Sequence, residues 1–97
     1  MEKNQIIGEI LNYMNKNGGP GKQWYVGISD DAPTRLFTDH KVETNGVHIY
    51  LIAESNKEAR EIEAFFINKI RTDGGPGGGD KESKMVYAYK KTTLTNP

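Results

Sequence analysis

The sequence predicts a small α+β protein in which three strands pack against helices, in the order α-β-α-β-α-β. Two observations predict this fold: apolar residues recur at helical spacing in two long segments, and they alternate with polar residues in three short ones. Glycine- and proline-containing turns separate these segments. The 97 residues suffice for one domain with one core, so we expect residues 1–97 to form a single domain.

The first predicted element is an amphipathic helix over residues 3–15. Its apolar stripe consists of Ile6, Ile7, Ile10, Leu11 and Met14. The segment NGGPGK ends this helix, so residues 1–22 are expected to form a helix and a turn.

A core over residues 23–71 follows. Its first strand, 23–29, alternates so that Tyr25 and Gly27 share one face. The segment DDAP predicts the start of a short helix that runs to about His40, with an aspartate cap and a proline in the first turn. A second strand is predicted over 47–53, and Ser55 or Asn56 is predicted to cap a third helix that ends near Arg71.

The C-terminal part is predicted to contain one loop and one strand. Residues 72–83 are rich in glycine and are expected to form a loop, and residues 84–91 alternate as a third strand. We expect the residues after this strand to fray.

Composition excludes several classes of protein. The 13 basic and 13 acidic residues balance, which argues against a domain that holds nucleic acid by bulk charge alone. The chain has no cysteine, so it forms no disulfide and no cysteine-based metal site. No apolar run approaches the ~20 residues of a membrane span and no signal-peptide pattern opens the chain, so we expect a soluble cytoplasmic protein without a membrane partner.

Glu63 lies in an unusual place on the third predicted helix. A helical projection puts it between Ile67 and Ile70 on the apolar face, whereas the other charged residues lie on the opposite half. A carboxylate on a core-facing stripe is unfavourable unless it is paired, hydrogen-bonded or bound to a metal ion. The alternative is an edge position from which Glu63 reaches water or a nearby cation.

The strands place several phenol rings together if their faces coincide. Tyr25 shares its face of the first strand with Gly27, whose missing side chain leaves space beside the phenol. His48 and Tyr50 share one face of the second strand, and Tyr87 and Tyr89 share one face of the third. The alternative is that these tyrosines only pack, since half-buried strands favour them.

These residues resemble the motifs of the GIY-YIG endonuclease family. That family has a Tyr-Ile-Gly strand, a helix with an arginine that is often followed by a histidine or tyrosine, and then a helix whose A-x-x-x-E glutamate binds a metal ion. Here the segment YVG at 25–27, then Arg35, His40 and the segment EAREIEAFFI with Glu63, follow in that order. The resemblance covers roughly residues 24–70.

Two features of the family pattern are absent from their usual places. The family's Gly-Ile-Tyr strand should precede Tyr25, but a helix and a glycine turn lie there instead. We expect the C-terminal strand MVYAYKK to fill that position, as in a circular permutation, with Tyr87 or Tyr89 as the missing tyrosine. This requires residues 85–90 to pair with residues 23–29. The family's asparagine after the glutamate helix has no equivalent in DGGPGGGD.

The resemblance implies metal-assisted hydrolysis of a DNA phosphodiester bond. It implies Glu63 as the ligand of Mg²⁺ or Mn²⁺, and Tyr25 or Tyr87 as the group that helps to deprotonate the attacking water. Arg35 would neutralise charge on the phosphate, and His40 would orient a group or relay a proton. The residues assigned to substrate binding lie on the same face: Gly27, His48, Tyr50 and Tyr89.

Simpler interpretations exist for two of these residues. Arg35 is spaced to form a surface ion pair with Asp39 or Asp31, an arrangement that is common and weak. His40 is also explained as a polar residue near a helix C-terminus, where its charge suits the helix dipole.

Three functions therefore follow from the sequence. The first is a small GIY-YIG-like nuclease acting on DNA, with a separate protein partner for targeting. The second is a degenerate member of that fold that binds nucleic acid or protein and no longer cleaves. The third is an unrelated α+β interaction domain whose tyrosines are packing residues.

Overall fold

A computed structural model of the chain describes residues 1–75 and 82–97, which form three helices and one four-stranded mixed sheet. Helix α1 is Lys3–Lys16; α2 is Ala32–Thr34 and continues as a π-helical turn, Arg35–Asp39; α3 is Asn56–Phe65 and continues as a π-helical turn, Phe66–Ile70. The strands are β1, Trp24–Ser29; β2, His48–Ile52; β3, Asp73–Gly74; and β4, Met85–Lys90. The predicted α+β class is confirmed.

The prediction of three strands is wrong by one, because Asp73–Gly74 adds a short strand parallel to β1. Residues 72–83 were expected to form a loop, and a strand of two residues is too short to show an alternating pattern. Gly74 suits this place, since a Cβ there would lie 2.6 Å from Ile67 Cδ1. Residues 76–81 of the predicted loop lie outside the described residues.

The strand order in the sheet is β2-β4-β1-β3, so β4 lies between β1 and β2 and runs antiparallel to both. The expected pairing of residues 85–90 with residues 23–29 is confirmed by the β1–β4 register. In that register Gly27 lies opposite Tyr87, and Tyr25 lies opposite Tyr89. On the other side of β4, Tyr50 of β2 also lies opposite Tyr87.

Helices cover both faces of the sheet. Helices α1 and α3 pack on the face that carries Trp24, Val26 and Ile28, and these side chains form the larger hydrophobic core. Helix α2 packs on the opposite face, where Ala32 and Leu36 share a smaller cluster with the tyrosines of β4. None of the helices in the described part of the chain is long and apolar enough to cross a membrane.

The helix starts follow the sequence signals. Ser55, rather than Asn56, caps α3, because its Oγ accepts a hydrogen bond from the N–H of Glu58 at 3.1 Å. Asp31 caps α2 by accepting from the N–H of Thr34 at 3.2 Å, as predicted.

The residues after β4 are held by hydrogen bonds, contrary to the expectation that they fray. The N–H of Asn96 donates to the carbonyl oxygen of His40 at 2.7 Å, which ties this part of the chain to the end of α2. The contact is made by backbone atoms, so no side-chain pattern in the sequence signals it.

Candidate active site

The register of the sheet brings the predicted phenol rings onto one face. Tyr25 of β1 and Tyr87 and Tyr89 of β4 all lie on the side covered by α2. The ring of Tyr25 stacks on the rings of Tyr89 and Tyr87, with centroid separations of 5.3 Å and 6.4 Å. The predicted coincidence of the tyrosine faces is therefore confirmed, and His48 and Tyr50 of β2 share this face.

Gly27 provides the space that the ring of Tyr87 occupies. A Cβ at Gly27 would lie 2.5 Å from the hydroxyl oxygen of Tyr87 and 2.6 Å from its Cζ, which is closer than real contacts allow. The sequence predicted open space beside Tyr25 at this point, and that prediction is wrong because Tyr87 fills it. Glycine at this position lets the phenol of β4 extend across the backbone of β1.

His40 is turned toward the sheet by the π-helical turn that ends α2. Its N–H donates to the carbonyl oxygen of Arg35, five residues earlier, at 2.8 Å. The residue is only 6% exposed, and its Nε2 lies 2.8 Å from the hydroxyl oxygen of Tyr87. His40 does cap the C-terminus of this turn, as the simpler interpretation expects, and it is also buried against Tyr87.

The partners of His40 define where its proton lies. Its Nδ1 is 2.8 Å from the carbonyl oxygen of Asn96, which can only accept, so Nδ1 carries the hydrogen. In the neutral ring Nε2 then accepts, and the hydroxyl of Tyr87 donates to it. This assignment follows from the hydrogen-bond network.

Glu63 is buried at 4% exposure, and its Oε2 has no hydrogen-bond partner among the described residues. Burial raises the pKa of this carboxyl from an ordinary 4.5 to about 7, although the positive charge of Arg60 acts in the opposite direction. The alternative position at a wet helix edge is therefore contradicted. The sequence correctly indicated a carboxyl group on the inner face of α3.

Helix α3 packs on the face of the sheet opposite the tyrosines, and the link between Glu63 and the phenols is the effect of its charge on their pKa values. Burial raises the pKa of Tyr87 well above its usual range; Tyr25 and Glu63 raise it further, whereas Arg35 lowers it by its charge and by a hydrogen bond. Burial also raises the pKa of Tyr25, assisted by Asp73 and Glu63 and opposed by Arg35. Without additional positive charge, both phenols therefore stay protonated at neutral pH.

Arg35 makes the surface ion pair that its spacing suggested and also faces the site. Its Nε lies 3.4 Å from Oδ2 of Asp39, and both side chains are substantially exposed, so this pair contributes little to stability. Its positive charge also lowers the pKa values of Tyr25 and Tyr87. The surface ion pair with Asp39 is therefore confirmed, and the role of Arg35 toward a phosphate stays a prediction.

The residues assigned to substrate binding have different surroundings. Tyr89 is fully buried, and its hydroxyl oxygen lies 3.0 Å from Nδ1 of His40. His48 is held by its own loop, with Nδ1 2.8 Å from the carbonyl oxygen of Gly46, and its ring packs edge-on against Phe37. Tyr50 is 40% exposed on the edge strand β2.

Two partners of the site were missed by the sequence analysis. Asn96 reaches His40 through its backbone, so its side chain gives no signal. Asp73 lies near enough to Tyr25 to raise the pKa of that phenol, and it is paired with Lys91 at 3.1 Å. Asp73 had been placed in a loop, and only its pairing with β1 brings it to the tyrosine face.

Among the described residues, Glu63 is the candidate ligand for a hard cation. A buried carboxylate oxygen without a partner is an atom that a metal ion would satisfy, and Mg²⁺ often binds through one or two carboxylates plus waters and phosphate oxygens. Within the described ranges, no group of three or more histidine or acidic side chains is placed to hold a metal ion. From the described part of the chain a metal ion would take Glu63, together with water and phosphate oxygens.

Solvent reaches the cluster at Tyr25 and Arg35, which are partly exposed, whereas Glu63, His40 and Tyr87 are buried. The backbone at Gly75 lies against the Tyr25 hydroxyl, since a Cβ there would be 2.8 Å from it. A separate cavity of about 170 Å³ lies between residues 42–47 and residues 92–95, away from Glu63. It contains none of the predicted site residues.

Comparisons of the chain with protein-family models, with curated proteins and with solved structures found no match in any of the three.

Proposed function

We propose that this protein is a metal-dependent endonuclease related to the GIY-YIG family, with the family's first strand moved to the C-terminal side of the domain. One observation carries the proposal. Tyr87, on the C-terminal strand, lies across Gly27 of the YVG strand, and its hydroxyl oxygen is 2.8 Å from Nε2 of His40. This is the juxtaposition that a permuted order of the motifs requires.

In this proposal Glu63 holds Mg²⁺ or Mn²⁺ through its unpartnered carboxylate oxygen. The ion would polarise a phosphate oxygen and stabilise the leaving oxygen. The carboxyl must be ionised to bind a cation, and its pKa of about 7 makes that binding weaken below neutral pH.

Three side chains of the protein would then neutralise charge on the phosphate and accept the proton of the attacking water. Arg35, which is partly exposed, is placed to bind the phosphate and to neutralise the negative charge that develops on it. The attacking water gives its proton to the hydroxyl oxygen of Tyr87 while the phenol proton passes to Nε2 of His40. This relay keeps Tyr87 neutral, which agrees with the raised pKa of its phenol.

DNA is the substrate that this chemistry and the resemblance favour. A chain with zero formal net charge has little bulk attraction for phosphates, so we infer that a partner protein contributes targeting.

A cleavage assay tests the proposal. Purified protein is incubated with supercoiled plasmid and with single-stranded DNA, in Mg²⁺, in Mn²⁺ and with chelator. Glu63→Gln and Tyr87→Phe serve as matched variants, since each keeps the shape of the side chain. We expect metal-dependent cleavage that falls at least ~100-fold in both variants. Cleavage that is equal in all three proteins would reject the assignment of the site.

A binding module without cleavage is the second candidate, favoured by the burial of Tyr87, His40 and Glu63 and by the missing asparagine. Titration with DNA at low and then at higher salt separates this module from an unrelated interaction domain. Binding to DNA without cleavage would support the module, and the absence of both would leave an interaction domain whose tyrosines pack.

A further inference from the structure

We propose that the C-terminal segment, residues 92–96, positions His40 by selecting the tautomer whose Nε2 accepts the proton of Tyr87. The catalytic meaning of this inference rests on the proposed function. The tautomer itself is a property of the folded chain and can be measured without any substrate.

Two backbone contacts join the segment to His40. The N–H of Asn96 donates to the carbonyl oxygen of His40 at 2.7 Å, and Nδ1–H of His40 donates to the carbonyl oxygen of Asn96 at 2.8 Å. Together they form a two-point clamp between residues that are 56 positions apart in the chain.

The segment is itself folded, so it can hold Asn96 in place. The N–H of Thr92 donates to Oγ1 of Thr95 at 3.0 Å, and Oγ1 of Thr95 donates to the carbonyl oxygen of Thr92 at 3.0 Å. The N–H of Leu94 donates to Oγ1 of Thr92 at 3.1 Å. These bonds close a compact turn directly before Asn96.

The carbonyl of Asn96 is the contact that chooses the tautomer. Tyr87 and Tyr89 also contact the imidazole nitrogens, but a hydroxyl can donate or accept and so suits either tautomer. A carbonyl oxygen only accepts, and it therefore requires the hydrogen on Nδ1. This leaves Nε2 unprotonated and facing the Tyr87 hydroxyl.

Without that carbonyl, the ring would revert toward the tautomer that neutral histidine prefers in water, with the hydrogen on Nε2. An Nε2–H group cannot take the proton of Tyr87, so the relay would stop although every side chain is still present. Asn96 is thus a positioning residue that acts through its backbone.

The test is ¹⁵N nuclear magnetic resonance of the two histidines in the 97-residue chain, at a pH where the rings are neutral. Asn96→Pro removes the N–H that anchors the clamp, whereas Asn96→Ala keeps both backbone groups. His48 is an internal control, because its Nδ1 is held by the carbonyl oxygen of Gly46 at 2.8 Å and not by the segment. A chain that ends at Lys91, which also lacks the carbonyl of residue 96, is the second variant without the clamp, and ¹H–¹⁵N spectra verify that each variant is folded.

We expect the Nδ1–H tautomer of His40 in the wild type and in Asn96→Ala. We expect a shift toward Nε2–H in Asn96→Pro and in the shortened chain, with His48 unchanged in all four proteins. An unchanged His40 signal in both folded variants that lack the clamp would overturn the inference.

Cleavage measurements separate this inference from the proposed function. If the protein is a nuclease, the Asn96→Pro variant should cleave at least ~10-fold more slowly. A tautomer shift with unaltered cleavage would overturn the positioning role. A tautomer shift in a protein that cleaves no DNA would support the clamp and reject the nuclease.

Discussion

Gly27 and Tyr87 are adjacent residues of an antiparallel pair, and the small size of one determines the direction of the other. The phenol lies over the glycine, so its hydroxyl reaches His40 instead of solvent. The glycine of the Tyr-Val-Gly segment therefore has a steric role, because only a residue without a side chain leaves room for the Tyr87 ring from the neighbouring strand.

Substitution of this glycine tests that reason. Gly27→Ala should lower the free energy of unfolding by about 1–3 kcal/mol, since the new methyl group overlaps the Tyr87 ring. Chemical denaturation measures the change. Gly8→Ala in α1 is the matched control: a Cβ there meets nothing within 4 Å, so it should stabilise by about 1 kcal/mol. Equal effects of the two substitutions would contradict the steric argument.

Glu63 should make stability depend on pH. Its pKa is about 7 in the folded chain against an ordinary 4.5, so the folded state binds this proton more tightly than the unfolded state. The contribution of Glu63 to the free energy of unfolding is therefore fully present below pH 4.5 and is lost as the pH rises to about 7. Over this range the free energy of unfolding should decrease by about 3 kcal/mol. Thermal or urea unfolding at a series of pH values measures this decrease.

Glu63→Gln removes the titration while keeping the size of the side chain. The variant should be about as stable as the wild type near pH 4.5 and more stable at pH 8, where the wild type carries a buried charge. Addition of Mg²⁺ at pH 8 should stabilise only the wild type, by about 1.4 kcal/mol at ten times the Kd. Parallel pH profiles for the two proteins would show that Glu63 is not the group responsible.

At the residue scale, the sequence predicted on which face of its helix or strand a side chain lies, but it did not predict the contacts that the side chain makes. The helical projection placed Glu63 on the inner face of α3, and alternation gave each of the three longer strands a face that carries tyrosine, which the strand register brings together. Neither pattern shows that Tyr87 fills the space at Gly27, because that contact depends on the register between strands distant in sequence.

At the scale of elements, α2 and α3 both end in π-helical turns, and both contribute residues to the site. In α2 the wider turn lets the N–H of His40 bond to the carbonyl of Arg35, which turns the imidazole toward the sheet. The sequence predicted a helix to about His40 but gave no sign of the extra residue in the turn. Apolar periodicity indicates which helix faces are buried. It does not show where a backbone hydrogen bond reaches the fifth preceding residue instead of the fourth.

The start of α3 should be sensitive to its cap. Ser55→Ala should lower the free energy of unfolding by about 1 kcal/mol, since the N–H of Glu58 loses its acceptor. Ser55→Asp, which retains an acceptor at this position, should restore most of that stability. Urea denaturation of the three proteins checks the order, and a loss of similar size in both variants would contradict the capping role.

At the scale of the whole molecule, the sequence predicted the α+β class, the three longer strands and the pairing of β4 with β1. It missed β3, because two residues contain no periodicity, and it missed the docking of residues 92–96, because backbone groups make that contact. Both missed features depend on contacts between residues that are far apart in the sequence and meet only in the folded chain.

The balanced charge of the chain predicts weak and salt-tolerant binding to DNA. With zero formal net charge, the protein should neutralise only one or two phosphates. The slope of log K against log salt should therefore be shallower than about −2 for a short duplex. Fluorescence anisotropy with a labelled oligonucleotide and the Glu63→Gln variant measures this slope without cleavage. A slope near −5 would reveal a basic surface that the net charge hides.

The central position of β4 affects how the chain folds during translation. Strands β1 and β2 do not pair with each other; both pair with β4, which follows them in the chain and leaves the ribosome after them. The opposing residues Gly27 and Tyr87 are separated by 60 positions, so the sheet closes slowly and only after synthesis has passed Lys90. A nascent chain arrested after Lys84 should therefore be digested by protease as readily as an unfolded polypeptide, whereas a protected fragment would show that the N-terminal part folds earlier.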